Sequence, residues 1–274
     1  MDMKIRKLAY VVAVLLLALI FGFSAYRVGN YFWESHKARK DFEELSALKE
    51  QAAQQATAPS ESPSTESTDP DDPVEEIIDA TQPGILAEYA PFYERNPHVV
   101  GWIQIDGTVI DYPVMQTPDH REYYLKRNFE GEYSEHGCIF IREECDMNEP
   151  SDNITVYGHN MNDGSMFASL LDYQDRKTWE DNPLIFFDTL TEYHTYKIFA
   201  VFKTTASLNA GFKYHNMIDA SSEEAFDEFI ATAKALSFYD TGITPKYGDK
   251  IICLSTCEYT LEHGRFVVAA YRLW

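Results

Sequence analysis

Cys257 and Arg265, eight residues apart near the C-terminus, are the side chains whose types and spacing most suggest chemistry. The run Ile251-Ile252-Cys253-Leu254-Ser255-Thr256-Cys257 is apolar, and so is the run from Arg265 to Tyr271; a short polar loop containing Gly264 joins them. That pattern predicts an antiparallel hairpin. Cys257 would close one strand, Arg265 would open the next, and the two would face each other across the mouth of the turn. A guanidinium opposite a thiol favours the thiolate, the nucleophilic form. It can also donate to a carbonyl oxygen as negative charge develops there. The pair therefore suits acyl transfer. The competing reading of Cys257 is a small buried hydrophobe, and that of Arg265 is a surface arginine paired with Glu258 or Glu262. Strand alternation puts Cys253, Ser255 and Cys257 on one face; packing suits Cys253, deep in the strand, better than Cys257 at its polar end.

An acid/base group is needed beside such a nucleophile, and His159 is the candidate. It follows the strand-like run Asn153-Ile154-Thr155-Val156-Tyr157 directly, after Gly158. A histidine at a strand end is where a barrel presents side chains at its rim, and imidazole exchanges protons near neutral pH. The other seven histidines lie in polar or loop settings; among them His263, two residues from Arg265, is the rival base.

The elements that must position these residues read as mostly strand. Runs at 101–105, 109–115, 137–141, 153–157, 184–187, 196–203, 250–257 and 265–273 are rich in Ile, Val, Phe and Tyr and bounded by turn residues. Eight such strands predict a barrel or a sandwich. Helices are expected at 85–93, 165–173 and 222–236, the last opening on Ser222 with two glutamates behind it and carrying Phe226, Phe229, Ile230 and Ala233 as a stripe.

Upstream of this domain the chain changes character. Lys4, Arg6 and Lys7 precede an uncharged apolar run at 8–26, long enough at 1.5 Å per residue to cross a bilayer. The cations predict an N-terminus (residues 1–7) on the cytoplasmic side and everything that follows outside; a cleaved signal peptide is the alternative. Residues 27–50 can continue as a membrane-proximal helix. The stretch 51–73, rich in Ala, Gln, Ser, Thr and Pro, is expected to be a disordered linker giving reach, and the folded domain to run over 74–274.

Composition narrows the partners. A formal charge of −21 makes nucleic acid an unsuitable one. Four cysteines do not make a disulfide scaffold, although Cys138 and Cys145 would close a small loop if they paired. Neither zinc spacing nor a calcium-loop pattern is present, so no metal or other cofactor is expected.

Taken together, these segments resemble class B sortases. The resemblance is carried by Thr155-Val156-Tyr157-Gly158-His159-Asn160-Met161 with Gly164-Ser165-Met166-Phe167, by Leu254-Ser255-Thr256-Cys257, and by Gly264-Arg265-Phe266-Val267-Val268. Gly101-Trp102-Ile103 and Ile110-Asp111-Tyr112-Pro113-Val114 fit the start of that domain. The resemblance implies a closed eight-stranded β-barrel with peripheral helices, behind an N-terminal transmembrane helix, on the outer face of a Gram-positive cell membrane. It also implies a cysteine transpeptidase that cleaves an Asn-Pro-x-Thr-x sorting signal of a secreted protein. The Thr carbonyl would pass, through a thioester on Cys257, to a peptidoglycan cross-bridge amine on a lipid-linked precursor. His159 would be the acid/base and Arg265 the oxyanion donor, with the Glu258 backbone N–H beside it and Ser255 binding the peptide. The helix at 222–236 would wall the peptide groove. Rival functions are a hydrolytic cysteine peptidase, a pilin-polymerising sortase and a non-enzymatic membrane-tethered binding module. The order His before Cys, the end of the chain directly after its last strand, and the presence of all three polar residues weigh against them in turn.

Overall fold

The structure, a computed structural model, describes residues 3–57, 84–207 and 209–273. The chain divides into two compact units, Met1–Asp41 and Phe42–Trp274. The first unit is helical throughout its described residues, part of α1 (Met3–Thr57). Its Leu15, Leu16, Leu17, Leu19, Ile20 and Phe21 are all exposed, and the helix is long and apolar enough to cross a membrane.

The second unit is a closed eight-stranded barrel. Its strands are β1 (Val99–Gln104), β2 (Asp111–Met115), β3 (Ile139–Ile141), β4 (Asn153–Tyr157), β5 (Leu184–Thr189), β6 (Thr195–Thr205), β7 (Ile251–Glu258) and β8 (Gly264–Arg272). All eight lie where the alternating runs placed them, with ends moved by two residues at most. Around the wall the order is β1-β2-β3-β4-β7-β8-β6-β5, and β5 pairs with β1 to close it. Two neighbouring pairs are parallel, β2 with β3 and β4 with β7. Parallel neighbours need a long crossover, and the β4–β7 crossover carries β5, β6 and α4 (Glu223–Leu236).

Strand alternation produces two apolar layers. Ile103, Val114, Ile139, Val156, Ile198, Val201, Leu254 and Val268 belong to one buried cluster. Phe199, Cys253, Val267 and Ala269 belong to another, with Phe226, Phe229, Ile230 and Ala233 of α4. This packing is why α4 forms where it does: full burial of each large apolar side chain contributes about 1.5–3 kcal/mol. Ser222 caps the helix by accepting a hydrogen bond from the Ala225 N–H (3.3 Å).

Three expectations shift. The helix expected at 85–93 is reduced to α2 (Ala90–Arg95), opened by a proline in its first turn. At 165–173 the chain forms a 3₁₀ segment, Ala168–Gln174, because Met166 is left-handed (φ 57°) and cannot open an α-helix. The membrane-proximal helix does not stop at residue 50 but runs on to Thr57, seven residues into the stretch expected as linker. Its last turns pack on the barrel: the Phe42 ring meets Tyr112 edge-on at 5.0 Å, Lys49 Nζ sits 4.7 Å over Trp102, and Leu45 is buried. The compact unit accordingly begins at Phe42. The remaining linker, 58–73, and the boundary expected at 74 lie outside the described residues. A short helix, α3 (Arg176–Asp181), was not anticipated; Asp175 caps it.

Barrel closure depends on one glycine. A Cβ on Gly101 would lie 2.1 Å from the Asp188 carbonyl oxygen across the β1–β5 pair. Gly101→Ala should therefore cost about 1–3 kcal/mol, as an overpacked core does. Thermal melts should show a fall of about 2–4 °C for each kcal/mol lost.

Candidate active site

β4 and β7 run parallel with Tyr157 opposite Ser255, so the chains leaving both strands emerge at the same end. On the other side of β7, antiparallel β8 sets Arg265 opposite Cys257. The hairpin inferred from the sequence is thus present, with the thiol and the guanidinium in register. They share the face that α4 covers further down, where Cys253 is fully buried; Cys257, beyond the helix, is only half-buried.

His159 is stitched to the cysteine strand by three hydrogen bonds. The Thr256 hydroxyl donates to the Gly158 carbonyl (2.7 Å), the Gly158 N–H donates to the Ser255 carbonyl (3.2 Å), and the Asn160 amide donates to the Cys257 carbonyl (3.0 Å). Gly158 has no room for a side chain: a Cβ would lie 2.6 Å from both Phe167 Cγ and Ile139 Cδ1. The imidazole itself is held from across the cleft, with Nε2 2.6 Å from the Leu125 carbonyl oxygen. A carbonyl only accepts, so Nε2 carries a proton and Nδ1 is the nitrogen left to exchange one.

His159, Cys257, Arg265 and Ser255 line one cavity of about 470 Å³, within the usual size of a small-ligand or peptide cleft. Among the described residues Arg265 forms no ion pair; its Nη1 donates to the neighbouring Gly264 carbonyl (3.0 Å), not to Glu258 or Glu262 as the surface reading required. Two other arginines reach the cavity already paired, Arg142 with both carboxylate oxygens of Glu144 (2.7 and 3.1 Å) and Arg121 with Glu143 (2.9 Å).

The far wall comes from the segment between β6 and α4. Tyr214 is buried, and its hydroxyl lies 2.6 Å from Ser255 Oγ. His215 beside it is pushed down to about 4, first by burial and then by the cations Arg142, Lys213, Arg265 and Arg121, so it is neutral at neutral pH. Asn153 anchors this wall by donating its amide to the carbonyls of Tyr214 (2.9 Å) and Met217 (2.8 Å). The wall expected of the helix at 222–236 is therefore built by Ala206, Tyr214 and His215, which precede α4.

Two further side chains lie outside the cavity. The Glu258 side chain points away from the cavity and is almost fully buried in contact with Lys203. His263, the rival base, is an exposed residue in the β7–β8 turn and does not line the cavity. Cys138 and Cys145 are buried free thiols and do not pair.

Comparison with known proteins supplies the family. The Sortase domain family matches residues 103–273. Sortase B of Listeria monocytogenes is 36% identical over 185 residues, covering 66% of this chain and 72% of the relative. The chain belongs to the sortase B family. It is thus a sortase-type cysteine transpeptidase. A sortase B structure from Bacillus anthracis superposes with a TM-score of 0.67 at 30% identity, covering 88% of this chain and 98% of that one. The fold also matches a Staphylococcus aureus sortase B–substrate complex, TM-score 0.72 at 24% identity, over 88% of this chain and 98% of that one.

Within this sortase, sequence reasoning missed the Leu125 carbonyl, Tyr214 and His215. A backbone carbonyl carries no signal in a side-chain pattern. Tyr214 and His215 sit in a polar loop whose burial depends on Asn153, sixty-one residues from Tyr214.

Proposed function

We propose that this enzyme cleaves an Asn-Pro-x-Thr-x sorting signal near the C-terminus of a secreted protein and joins the Thr carbonyl to a peptidoglycan cross-bridge amine on a lipid-linked precursor. The observation that carries this reading is the register pairing of Cys257 with Arg265, with His159 tied to the same strand end around one cavity.

Cys257 Sγ attacks the Thr carbonyl carbon and its proton passes to His159 Nδ1. Charge on the carbonyl oxygen is met by the unpaired donors of Arg265 and by the backbone N–H of Glu258. The C–N bond breaks, the departing amine takes the proton from His159, and the acyl group remains as a thioester. The cross-bridge amine then attacks the thioester and gives its proton to His159, and Cys257 leaves as the thiol. Two steps of moderate barrier replace one difficult amide exchange. Ser255 and Tyr214 share one hydrogen bond, so one hydroxyl proton and further lone pairs remain to bind peptide amides.

The apolar part of α1 serves as a retained anchor. Lys4, Arg6 and Lys7 ahead of it favour a cytoplasmic N-terminus, with the catalytic unit on the extracellular face beside the lipid-linked acceptor.

The test uses the full chain in detergent with a set of Asn-Pro-x-Thr-x peptides, with and without an amine acceptor, followed by intact mass. An acyl adduct on Cys257 that the amine converts to a ligated product is the expected result. Hydrolysis indifferent to every amine would make it a peptidase. No adduct with any member would remove this class of signal.

A further inference from the structure

The carboxylate next to the nucleophile has a partner two strands away. Counting pairs across β7, β8 and β6, Cys257, Arg265 and Thr204 occupy one face. Glu258, Gly264, Phe266 and Lys203 occupy the other. β8 lies between Glu258 and Lys203, yet Lys203 Nζ reaches Glu258 Oε1 at 3.0 Å. It can do so because the β8 residue opposite Glu258 is glycine: a Cβ on Gly264 would lie 2.9 Å from Glu258 Oε2 and 2.3 Å from the Glu258 carbonyl oxygen. The same carboxylate accepts from the N–H groups of Thr260 (3.0 Å) and Leu261 (3.1 Å), which lie in the turn leading back to Arg265. Beyond them Gly264 N–H donates to the Leu261 carbonyl (3.0 Å), and Ala206 N–H and the Thr205 hydroxyl tie the turn to the end of β6 through the His263 (2.9 Å) and Glu262 (2.7 Å) carbonyls.

We propose that Glu258 and Lys203 are positioning residues, a charged clamp on the inner side of the barrel rim that sets the spacing of Cys257 and Arg265 on the outer side. This rests on the reading of those two residues as nucleophile and oxyanion donor.

A buried ion pair contributes little net stability against its desolvation, but it punishes any geometry that separates the charges. Three charge-assisted bonds converge on one carboxylate that is 3% exposed. Burial alone would push this carboxyl up; the Thr260 hydroxyl, the Lys203 ammonium and the Thr260 amide together outweigh it and hold it below the usual carboxylate range, so it is charged at neutral pH. The turn that links nucleophile to arginine is thus fastened from beneath by a group touching neither substrate nor thiol. That sets it apart from the role the backbone N–H of the same residue has at the oxyanion.

The test is steady-state transpeptidation by the full chain in detergent, with the wild type first required to form the Cys257 adduct. Glu258→Gln keeps the shape and the backbone N–H but removes the charge. Its kcat should fall about 10²-fold, the cost of an ångström-scale misplacement, with KM for the peptide within about twofold, since Ser255 and Tyr214 do not depend on the turn. Lys203→Met should lower kcat in the same way and Lys203→Arg should recover most of it. The Lys203→Met/Glu258→Gln double variant should be no slower than Glu258→Gln alone, because residues of one unit are not additive. Losses that multiply in the double variant, or a loss appearing in KM, would overturn the clamp. So would a Glu258→Gln enzyme within twofold of wild type. If Glu258→Gln does not fold, the Lys203→Met and Lys203→Arg pair decides by the same criteria. A wild type that forms no adduct removes the reading of the site, and the clamp with it; an adduct with unaffected variants removes the clamp alone.

Discussion

Cys257→Ala should yield a folded protein with no measurable transpeptidation, a loss of at least about 10⁴-fold, the scale on which removal of a covalent nucleophile is felt. Cys257 is half-buried one residue before the end of β7, and its position is held through backbone groups: its carbonyl accepts from Asn160 and its neighbours pair with β4 and β8. Removing one sulfur there disturbs none of these bonds, so the thermal midpoint should stay close to that of the wild type. Intact mass after treatment of the native protein with a thiol-alkylating reagent gives an independent reading. Cys138 and Cys253 are fully buried, and burial pushes both thiols well up; Cys145 is pushed up to about 11 for the same reason. The wild type should therefore take up one alkyl group and Cys257→Ala none. Turnover surviving in the alanine variant would reject the nucleophile assignment.

The legible part of this protein was the part written in local pattern. Alternation of apolar residues located eight strands because the side-chain period of a half-buried strand is two. The hairpin of β7 and β8 needed only two runs and a short glycine-containing loop, and from it the facing of Cys257 and Arg265 followed. His159 was found as a strand-end residue, but what holds it was not legible. The Leu125 carbonyl comes from a 3₁₀ turn at Tyr123–Lys126, thirty-four residues upstream, and only the closed barrel brings the two together. The docking of Phe42 and Lys49 was hidden for a similar reason: the composition of residues 34–50 allows a helix, but their face toward the barrel is defined by Trp102, Asp111 and Tyr112, which another part of the chain supplies. For Glu258 the sequence suggests a role only for the backbone N–H beside the oxyanion and says nothing of the side chain. Alternation sends its side chain to the opposite face, and the reach of Lys203 across Gly264 depends on a three-strand register that no single segment encodes.

Arg265→Lys keeps the positive charge and should still lose most of the activity, about 10²–10³-fold in kcat, the cost of removing one oxyanion donor. The guanidinium is planar and spends one of its five N–H groups on the Gly264 carbonyl, which fixes the plane and leaves the remaining donors pointed by geometry. A lysine ammonium at the same position is a rotating point charge with no such plane. Bulk positive field is not what the site lacks, since Arg121 and Arg142 reach the same cavity and stay there in the variant. Both are already engaged with Glu143 and Glu144, so neither can replace the directed donors. Single-turnover acylation measured by quench and mass separates the two accounts. Slow acylation with unchanged peptide affinity would place the loss in the transition state, where a donor aimed at the developing oxyanion acts. A lysine variant acylating at nearly the wild-type rate would mean that charge alone suffices and that Arg265 serves the packing of the β7–β8 rim.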